Sequence, residues 1–294
     1  MPDILPRRAL SAGRVAKRFS MRASNRTSDR FLKGLTLGEP LGRGGMSRVR
    51  EAATADGRRV AIKFPRRNGD AGHAAGRALV HREFGFLSEI SHPNVVKALG
   101  LVRIANGRDE SVSGLGMVME YLDGGDLVSL AGGPPRIWAP VATRIACALD
   151  HLHRSGIVHR DLKPRNVLLR SGDMPCLIDF ALAARIGGPA PRGGGTAAYR
   201  RRVSVDGADV TDDVYALAVL VYELWVGDLP FGRNSRLSNG ENRREFSALR
   251  PVPGMRGLTD VAEVVCDILN ERDAALTRGI EPLRHALESV VVEH

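Results

Sequence analysis

The chain contains little cysteine and no long apolar segment. Its three cysteines, Cys147, Cys176 and Cys266, are widely spaced among 294 residues, which excludes a disulfide framework and a zinc site built on clustered thiolates. The longest apolar stretch, residues 215–226, includes Glu223 and is shorter than the roughly 20 residues that a membrane-spanning helix needs. We therefore expect no transmembrane segment and a reducing compartment, the cytoplasm. Delivery to another compartment or cell stays open.

Lysine is also scarce, and the positive charge is unevenly distributed. Arginine outnumbers lysine 38 to 5, so each retained lysine is informative. Residues 1–33 hold nine basic and two acidic side chains, whereas the rest of the chain holds 34 and 31. This near-neutral remainder, without a basic-aromatic motif, argues against a specific nucleic-acid partner. We interpret residues 1–33 as a basic extension, flexible or partly helical. It is a solvated tail, a targeting signal, or a segment that contacts an anionic membrane.

The hydrophobic pattern changes from strand-like to helical along the chain. Strands are predicted over residues 35–41, 49–53, 59–64, 95–102 and 116–121, with a helix over residues 77–90 and a polar hairpin loop over residues 103–115. Later helices are predicted over residues 140–154, 213–226, 259–271 and 280–291. A hydrophobic content of 43% suffices for a sizeable core. The pattern predicts a small β-rich lobe followed by a larger helical lobe.

The most specific signal is the segment 159–166, which reads His-Arg-Asp-Leu-Lys-Pro-Arg-Asn. The segment resembles the catalytic-loop pattern His-Arg-Asp-Leu-x-x-x-Asn of protein kinases at all five fixed positions. This resemblance implies phosphoryl transfer, in which a carboxylate, here Asp161, lies beside the attacking hydroxyl. An amide oxygen five residues later, on Asn166, can then reach a Mg²⁺ ion at the phosphates. The alternative is a buried His-Arg-Asp turn without catalytic function. Five fixed positions in one window favour the catalytic interpretation.

This segment and the motifs around it resemble the Hanks-type protein kinase family, in particular bacterial Ser/Thr protein kinases. A glycine-rich loop at residues 41–49, Val-Ala-Ile-Lys at 60–63, the catalytic loop, and Asp-Phe-Ala at 179–181 follow in the family's order. The resemblance covers about residues 35–294. It implies an α+β, two-lobed, protein-kinase-like fold, with an antiparallel N-lobe sheet, one main N-lobe helix and a mainly helical C-lobe.

The resemblance also implies where the domain begins and how it divides. The kinase domain would occupy residues 34–294, after the extension of residues 1–33. Its N-lobe would run over about residues 34–119, the hinge over about residues 120–126 and the C-lobe over about residues 127–294.

Four catalytic roles follow from the resemblance. Asp161 is implied as the catalytic base, and Lys163 offsets charge on the transferred phosphoryl group. Lys63 is implied to bind the α- and β-phosphates, with Glu83 on the following helix as its ion-pair partner. A single Glu on a helix is more often a solvated charge, but Glu83 lies between the strand lysine and a His-Pro-Asn helix break.

ATP is the implied co-substrate, with Mg²⁺ as its metal and Mn²⁺ as an alternative. Asn166 and Asp179 are the implied metal ligands, through hard oxygen atoms. Met119 corresponds to the gatekeeper, the backbone of the hinge would hold the adenine edge, and Asp126 would reach the ribose. The implied ATP-binding set is Leu41, Gly42, Arg43, Gly44, Gly45, Met46, Ser47, Val49, Ala61, Lys63, Met119, Glu120, Leu122, Asp126 and Leu168. For the apolar members, ordinary core packing is equally consistent.

Two departures from the family pattern affect the segment after the metal ligand. Ala181 stands where the family has glycine, so we expect less freedom to swing between inward and outward states. The family's Ala-Pro-Glu is replaced by Arg-Arg-Val at residues 201–203, and Leu276 occupies the place of the arginine that pairs with that glutamate. Loss of one partner of a buried ion pair is strongly destabilising, whereas loss of both is nearly neutral. We therefore expect a substituted strut.

The activation segment, residues 179–199, contains only one Ser or Thr, Thr196. By resemblance, Thr196 bonds Asp161 and Lys163, an arrangement typical of Ser/Thr kinases. With no Ser or Thr upstream in the segment, we predict that activity does not depend on phosphorylation there.

We therefore predict a Ser/Thr protein kinase that transfers the γ-phosphoryl group of ATP to Ser/Thr hydroxyls of protein substrates. The alternative is a pseudokinase or ATP-binding interaction module, suggested by Ala181 and the missing strut. A small-molecule phosphotransferase of the same superfamily is disfavoured by Lys163-Pro164.

Overall fold

The computed structural model describes residues 21–23, 34–43, 47–65, 69–104, 114–170, 173–189, 196–201, 207–231, 255–256 and 258–292. The first part forms a sheet of β1 (Met21–Ala23), β2 (Thr36–Arg43), β3 (Ser47–Ala53), β4 (Arg59–Pro65), β5 (Ala98–Ile104) and β6 (Gly114–Glu120). These strands pair antiparallel in the order β1-β5-β6-β4-β3-β2. The predicted antiparallel N-lobe sheet is therefore present.

The prediction for the strand over residues 95–102 was wrong at its start, because β5 begins at Ala98. Val95 instead forms an isolated parallel bridge with Leu177, and Val96 donates a 2.9 Å backbone hydrogen bond to the carbonyl of Leu177. Both valines are buried, so their apolar character reflects packing against the second half of the chain. The predicted hairpin loop is also too long at both ends, since β5 reaches Ile104 and β6 begins at Gly114. Residues 105–113 lie outside the described residues.

Strand β1 departs from the interpretation of residues 1–33 as an extension without strands. Met21 pairs with Ile104 and Ala23 with Val102, so this segment covers the open edge of β5. Edge pairing uses backbone N–H and C=O groups and requires no alternating apolar pattern. This explains why three residues in a basic, polar segment gave no strand signal. Residues 1–20 and 24–33 lie outside the described residues.

Helix α1 (Gly69–Glu89) connects β4 to β5 and packs against the sheet. The sequence predicted it only from residue 77. Its first turns are rich in glycine and alanine, which gives no apolar periodicity to detect. Its last turns bury Val80, Phe86 and Leu87. The buried face of those turns also carries Glu83 toward the second half of the chain.

The helical part consists of α2 (Pro135–Arg154), α3 (Val210–Val226), α4 (Leu258–Leu269), α5 (Asp273–Thr277) and α6 (Glu281–Glu288). Four predicted helices are present, with corrected ends. Helix α2 begins at Pro135, because proline suits the first helical position, and Pro140 lies inside the helix. Helix α4 ends at Leu269, just before Glu271 takes a left-handed φ of 54°. The short α5 was not predicted, and α6 ends before residue 291.

Short antiparallel strand pairs lie among these helices. They are β7 (Ile157–Val158) with β10 (Ala184–Arg185), β8 (Val167–Arg170) with β9 (Met174–Leu177), and β11 (Met255–Arg256) with β12 (Val291–Val292). Helix α3 is the centre of this region, with eleven of its 17 residues buried. A helix that is apolar on every side is stabilised by being surrounded. It therefore offers a rigid base for the loops above it.

Candidate active site

A cavity of about 790 Å³ lies between the sheet and the helical region. Most of the residues predicted from the resemblance line it. Those residues are Leu41, Gly42, Ser47, Val49, Ala61, Lys63, Glu83, Met119, Glu120, Leu122, Asp126, Asp161, Lys163, Asn166, Leu168, Asp179 and Thr196. Arg43 ends β2, and its side chain lies outside the described part of the structure. Gly44, Gly45 and Met46 lie outside the described residues.

Three charged side chains from distant parts of the sequence meet on the sheet side of the cavity. The Nζ atom of Lys63, on β4, lies 2.6 Å from Oε1 of Glu83 on α1 and 2.7 Å from Oδ1 of Asp179. Lys63 and Glu83 are buried, whereas the side chain of Asp179 is 35% exposed and faces the cavity. The carboxylate of Glu83 is therefore held in the protein interior, whereas that of Asp179 is accessible to a ligand in the cavity.

Burial and ion pairing oppose each other in this cluster. Burial lowers the pKa of the Lys63 ammonium, but the carboxylates of Glu83 and Asp179 outweigh it and raise the pKa above its usual value. Burial likewise raises the pKa of Asp179, and Lys63 brings the result below the usual value. For Glu83 burial prevails over Lys63 and raises the pKa. A protonated Lys63 beside an ionised Asp179 therefore persists around neutral pH.

The backbone around Asp179 fixes this inward arrangement. Asp179 has a left-handed φ of 65°, and the next residue, Phe180, donates its backbone N–H to Oε1 of Glu83 at 3.0 Å. The buried Phe180 ring packs edge-on against His159, with 4.7 Å between ring centroids. Ala181 lies in the single 3₁₀ turn Phe180–Leu182. Glu83 thus bonds both the lysine and the segment that carries Asp179.

A second cluster forms on the helical side of the cavity, in the segment 159–166. Asp161 Oδ2 accepts hydrogen bonds from Lys163 Nζ at 2.7 Å and from the Asn166 amide nitrogen at 2.7 Å. Lys163 Nζ also donates to Thr196 Oγ1 at 2.9 Å, and the backbone N–H of Thr196 donates to Asp161 Oδ1 at 3.2 Å. The predicted contact between Thr196, Asp161 and Lys163 is present. It joins the activation segment to the catalytic loop.

The buried carboxylate of Asp213, in the first turn of α3, supports this loop from below. Its oxygens accept the backbone N–H groups of His159 and Arg160, each at 2.8 Å, and Nε2 of His153 lies 2.9 Å away. Arg160 has a left-handed φ of 67°, a conformation that non-glycine residues adopt only with support. Burial raises the pKa of Asp213, but these hydrogen bonds prevail and hold it below its usual value.

Apolar side chains and the hinge form the other end of the cavity. Met119 and Ala61 are buried, whereas Leu41 remains 44% exposed at the entrance. The backbone N–H of Glu120 donates to the carbonyl of Lys97 at 3.0 Å. The Glu120 carboxylate accepts the N–H of Lys97 at 2.9 Å and Nη2 of Arg170 at 2.8 Å. The hinge is therefore fixed to β8 by a side-chain contact that the sequence analysis did not predict.

Asp126 lies at the cavity mouth, where it begins the 3₁₀ helix Leu127–Leu130. Its carboxylate accepts the backbone N–H of Val128 at 3.1 Å. Arg165, which the sequence analysis assigned no role, lies 3.9 Å from Asp126 with its side chain 76% exposed. Its position between Lys163 and Asn166 in the catalytic loop could have indicated that Arg165 lies at the cavity.

The side chains of Asn166 and Asp179 fit a hard divalent cation. Asn166 donates through its amide nitrogen to the carbonyl and carboxylate of Asp161, so its side-chain oxygen is the atom suited to a metal. A carboxylate and an amide oxygen match the ligands that Mg²⁺ takes. Within the described ranges no three His, Cys, Asp or Glu side chains gather as a metal site. A cation bound to these two side chains can complete its coordination with phosphate oxygens and water, as Mg²⁺ usually does in proteins.

The described end of the activation segment contacts α3, whereas the family's strut joins this segment to the last helices. Leu276, at the place of the family's arginine, is buried in the core, and Val203 lies outside the described residues. Arg201 instead donates to Thr211 Oγ1 in the first turn of α3, and Tyr199 donates to Glu223 on the same helix. Thr211 and Glu223 were not predicted from the sequence. Their only signal was their presence on the helix that begins near Asp213.

No helix among the described residues combines the length and apolarity that a membrane crossing requires.

Comparison with known proteins agrees with this geometry. A family model described as the protein kinase domain matches residues 35–264. The Ser/Thr-protein kinase PkaA of Streptomyces coelicolor is 38% identical over 68% of this chain and 40% of its own length. The probable Ser/Thr-protein kinase PknB of Bifidobacterium longum is 29% identical over 78% of this chain. The DNA damage-responsive Ser/Thr-protein kinase RqkA of Deinococcus radiodurans is 34% identical over 78%. Each of the latter two is matched over 35% of its own length. The chain thus spans less than half of each of these relatives, and it belongs to the protein kinase family.

Proposed function

We propose that this chain transfers the γ-phosphoryl group of ATP to Ser or Thr hydroxyls of protein substrates. The observation that carries the proposal is the meeting of two clusters across one cavity. Lys63, Glu83 and Asp179 lie on one side, and Asp161, Lys163 and Asn166 lie on the other. Phosphoryl transfer needs little covalent chemistry from the protein and depends on positioning and charge stabilisation.

The catalytic loop would receive the acceptor hydroxyl. The Asp161 carboxylate faces the cavity, where it can orient a hydroxyl and accept its proton as the new oxygen–phosphorus bond forms. The γ-phosphorus bond to ADP breaks in the same step. Lys163 lies 2.7 Å from Asp161 and can offset negative charge on the phosphoryl group in transit. Its bond to Thr196 holds it there.

The sheet side would hold the nucleotide. Lys63 is buried, protonated and positioned by two carboxylates. Its ammonium is therefore pre-organised to bind phosphate oxygens. The oxygens of Asp179 and Asn166 would hold Mg²⁺, which when bound to ATP neutralises charge on the phosphates. The apolar walls around Ala61, Met119 and Leu168 suit a flat adenine ring.

The combination of Lys163 and Thr196 supports a Ser/Thr acceptor, and the named relatives are Ser/Thr kinases. Within the described residues, nothing favours a pseudokinase. The departure at Ala181 leaves Asp179 at Lys63, and Arg201 provides a substitute for the missing strut.

Three further assignments belong to this proposal. Residues 34–294 form the kinase domain, and residues 1–33 are an extension to it. The protein acts in the cytoplasm, with Mg²⁺ or Mn²⁺ as the metal. Outside Met21–Ala23, which pair with β5 in the kinase sheet, the extension is a solvated tail, a targeting signal or a contact to an anionic membrane surface.

The test is transfer of radiolabelled phosphate from ATP to the chain itself and to general acceptor proteins such as casein. Asp161→Asn should lower the rate by about 100-fold or more, and EDTA should abolish it. Asp267→Asn is the matched control, because Asp267 lies on the exposed face of α4 in an ion pair with Arg272. Equal labelling by wild type and Asp161→Asn would refute the proposal.

A further inference from the structure

The first turn of α3 contacts both the catalytic loop and the end of the activation segment. Asp209 precedes the helix and caps it through the backbone N–H of Thr211 at 2.8 Å. Thr211 accepts a hydrogen bond from Arg201, and Asp213 accepts the backbone of residues 159–160. Between them, Asp212 has no role in the mechanism described above.

Asp212 pairs with the side chain of Arg160, the arginine of the catalytic loop. Oδ2 of Asp212 lies 3.4 Å from Nε of Arg160, and the two side chains are 26% and 14% exposed. Asp213 holds the backbone N–H of the same arginine at 2.8 Å. Two consecutive carboxylates therefore fix one residue, whose backbone is in the left-handed region.

Two adjacent, largely buried carboxylates repel each other and are unfavourable unless cations offset them. Burial and Asp213 prevail and raise the pKa of Asp212 above its usual value, although Arg160 and Arg201 act in the opposite direction. An acid in the first turn of a helix is common because the helix dipole favours it, but that effect does not require burial. Asp260, in the first turn of α4, meets the dipole from an exposed position.

The activation segment itself offers no phosphate to Arg160. Residues 180–195 contain no Ser, Thr or Tyr, and Thr196 is already bonded to Lys163 and Asp161. The remaining hydroxyl of the segment, on Tyr199, is buried and donates to Glu223. In kinases that are switched by phosphorylation, a new arginine–phosphate pair orders the activation segment. Here the partly buried carboxylate of Asp212, on the folded helix α3, already pairs with the arginine.

We propose that Asp212 is a positioning residue that supplies a permanent negative charge to Arg160, so that the catalytic loop is held in place without activation-segment phosphorylation. The inference rests on the proposed kinase activity and deepens it. Asp212 touches no reacting atom and acts through Arg160 on Asp161, one residue further along the loop. Arg201, tied to Thr211 beside it, fixes the end of the activation segment to the same helix turn.

The test uses the full chain, produced together with a phosphatase and shown by mass spectrometry to carry no phosphate. Initial rates of transfer to casein give kcat and the KM for ATP. We compare Asp212→Asn, Asp212→Glu, Arg160→Gln and the double variant of Asp212→Asn with Arg160→Gln. Asp260→Asn is the matched control, because it removes a first-turn acid that does not pair with Arg160.

The phosphate-free wild type should be active. Asp212→Asn should lower kcat by about tenfold or more, with the KM for ATP changed by less than about threefold. Asp212→Glu should recover part of the loss, because it keeps the charge. The double variant should have a kcat no lower than that of the less active single variant, because both changes break the same contact. Asp260→Asn should stay within about twofold of wild type.

The inference fails if Asp212→Asn stays within about twofold of wild type, or if its loss multiplies with that of Arg160→Gln. It also fails if the phosphate-free wild type is inactive and gains activity on phosphorylation. If thermal melting shows that Asp212→Asn is unfolded, Arg160→Gln decides: a folded Arg160→Gln variant at wild-type kcat overturns the inference. Absence of any Asp161-dependent transfer in wild type, with or without phosphate, refutes the kinase activity instead.

Discussion

Lys163 donates a 2.9 Å hydrogen bond from Nζ to Oγ1 of Thr196, across 33 positions of sequence. The same ammonium lies 2.7 Å from Asp161. One cation therefore ties the activation segment to the catalytic carboxylate, and the bond needs only a hydroxyl on residue 196.

Thr196→Val, which keeps the shape and removes the hydroxyl, should lower kcat by about tenfold to 100-fold. The reason is that Lys163 loses one of the two groups that position it. Thr196→Ser is the control and should stay within about threefold of wild type. Steady-state rates with casein and ATP measure both.

Thr196→Glu should be inactive. The backbone N–H of Thr196 already lies 3.2 Å from Asp161 Oδ1, so a carboxylate on this residue would be held close to the catalytic one and repelled by it. An active Thr196→Glu variant would contradict the prediction that phosphorylation of this segment is not required.

Glu83→Gln should lower kcat by about tenfold to 100-fold and change the KM for ATP less. The buried Glu83 bonds both Lys63 and the N–H of Phe180, so an amide weakens the placement of the lysine and of Asp179 together. Glu89→Gln, on the same helix, is the matched control. Its ion pair with Arg185 is exposed on both sides, and exposed pairs contribute about 1 kcal/mol or less. Equal losses in the two variants would show that any acid on α1 matters, contrary to this prediction.

Gly124→Ala should destabilise the hinge by about 2 kcal/mol. A Cβ atom there would lie 2.6 Å from the backbone oxygen of Leu169, which also accepts the N–H of Gly124 at 2.9 Å. The close contact is with backbone atoms of Leu169, and the two backbone segments are hydrogen-bonded to each other, so neither can move aside easily. Gly85→Ala in α1 is the control, because its Cβ meets nothing within 4 Å and alanine favours a helix by roughly 0.5–1 kcal/mol. Urea unfolding should move the two variants in opposite directions.

The sequence predicted the sheet, the main helices and both clusters of the site, because each depends on local patterns or on a resemblance in motif order. Lys63 and Asp179 are 116 positions apart, and only the resemblance placed them together. The helix ends were less predictable. The first turns of α1 carry small residues without an apolar stripe. For α2, Pro140 was taken as the first helical residue, but the helix already begins at Pro135.

Contacts that depend on tertiary folding gave no usable sequence pattern. The pairing of β1 with β5 is made by backbone atoms. The bonds of Glu120 to Arg170 and of Asp212 to Arg160 join residues about 50 positions apart whose charges would suit a solvated surface equally well. The sequence predicted that some other contact would stand in for the missing strut, but it did not indicate that Arg201 would bond Thr211.

Asp213 predicts a stability difference that depends on pH. In the folded chain its pKa lies below the usual value, despite burial, because His153 and the N–H groups of residues 159–160 stabilise the charge. A depressed folded-state pKa contributes stability that is complete above the unfolded pKa of about 3.9 and is lost as the pH falls toward the folded value. Asp213→Asn should therefore lower the free energy of unfolding by about 2–4 kcal/mol near pH 7. The difference from wild type should shrink below about pH 4. Urea unfolding at several pH values measures it, with the exposed Asp260→Asn as the control. A difference that stays constant down to about pH 3 would show that shape, and not the charge of Asp213, supports the catalytic loop.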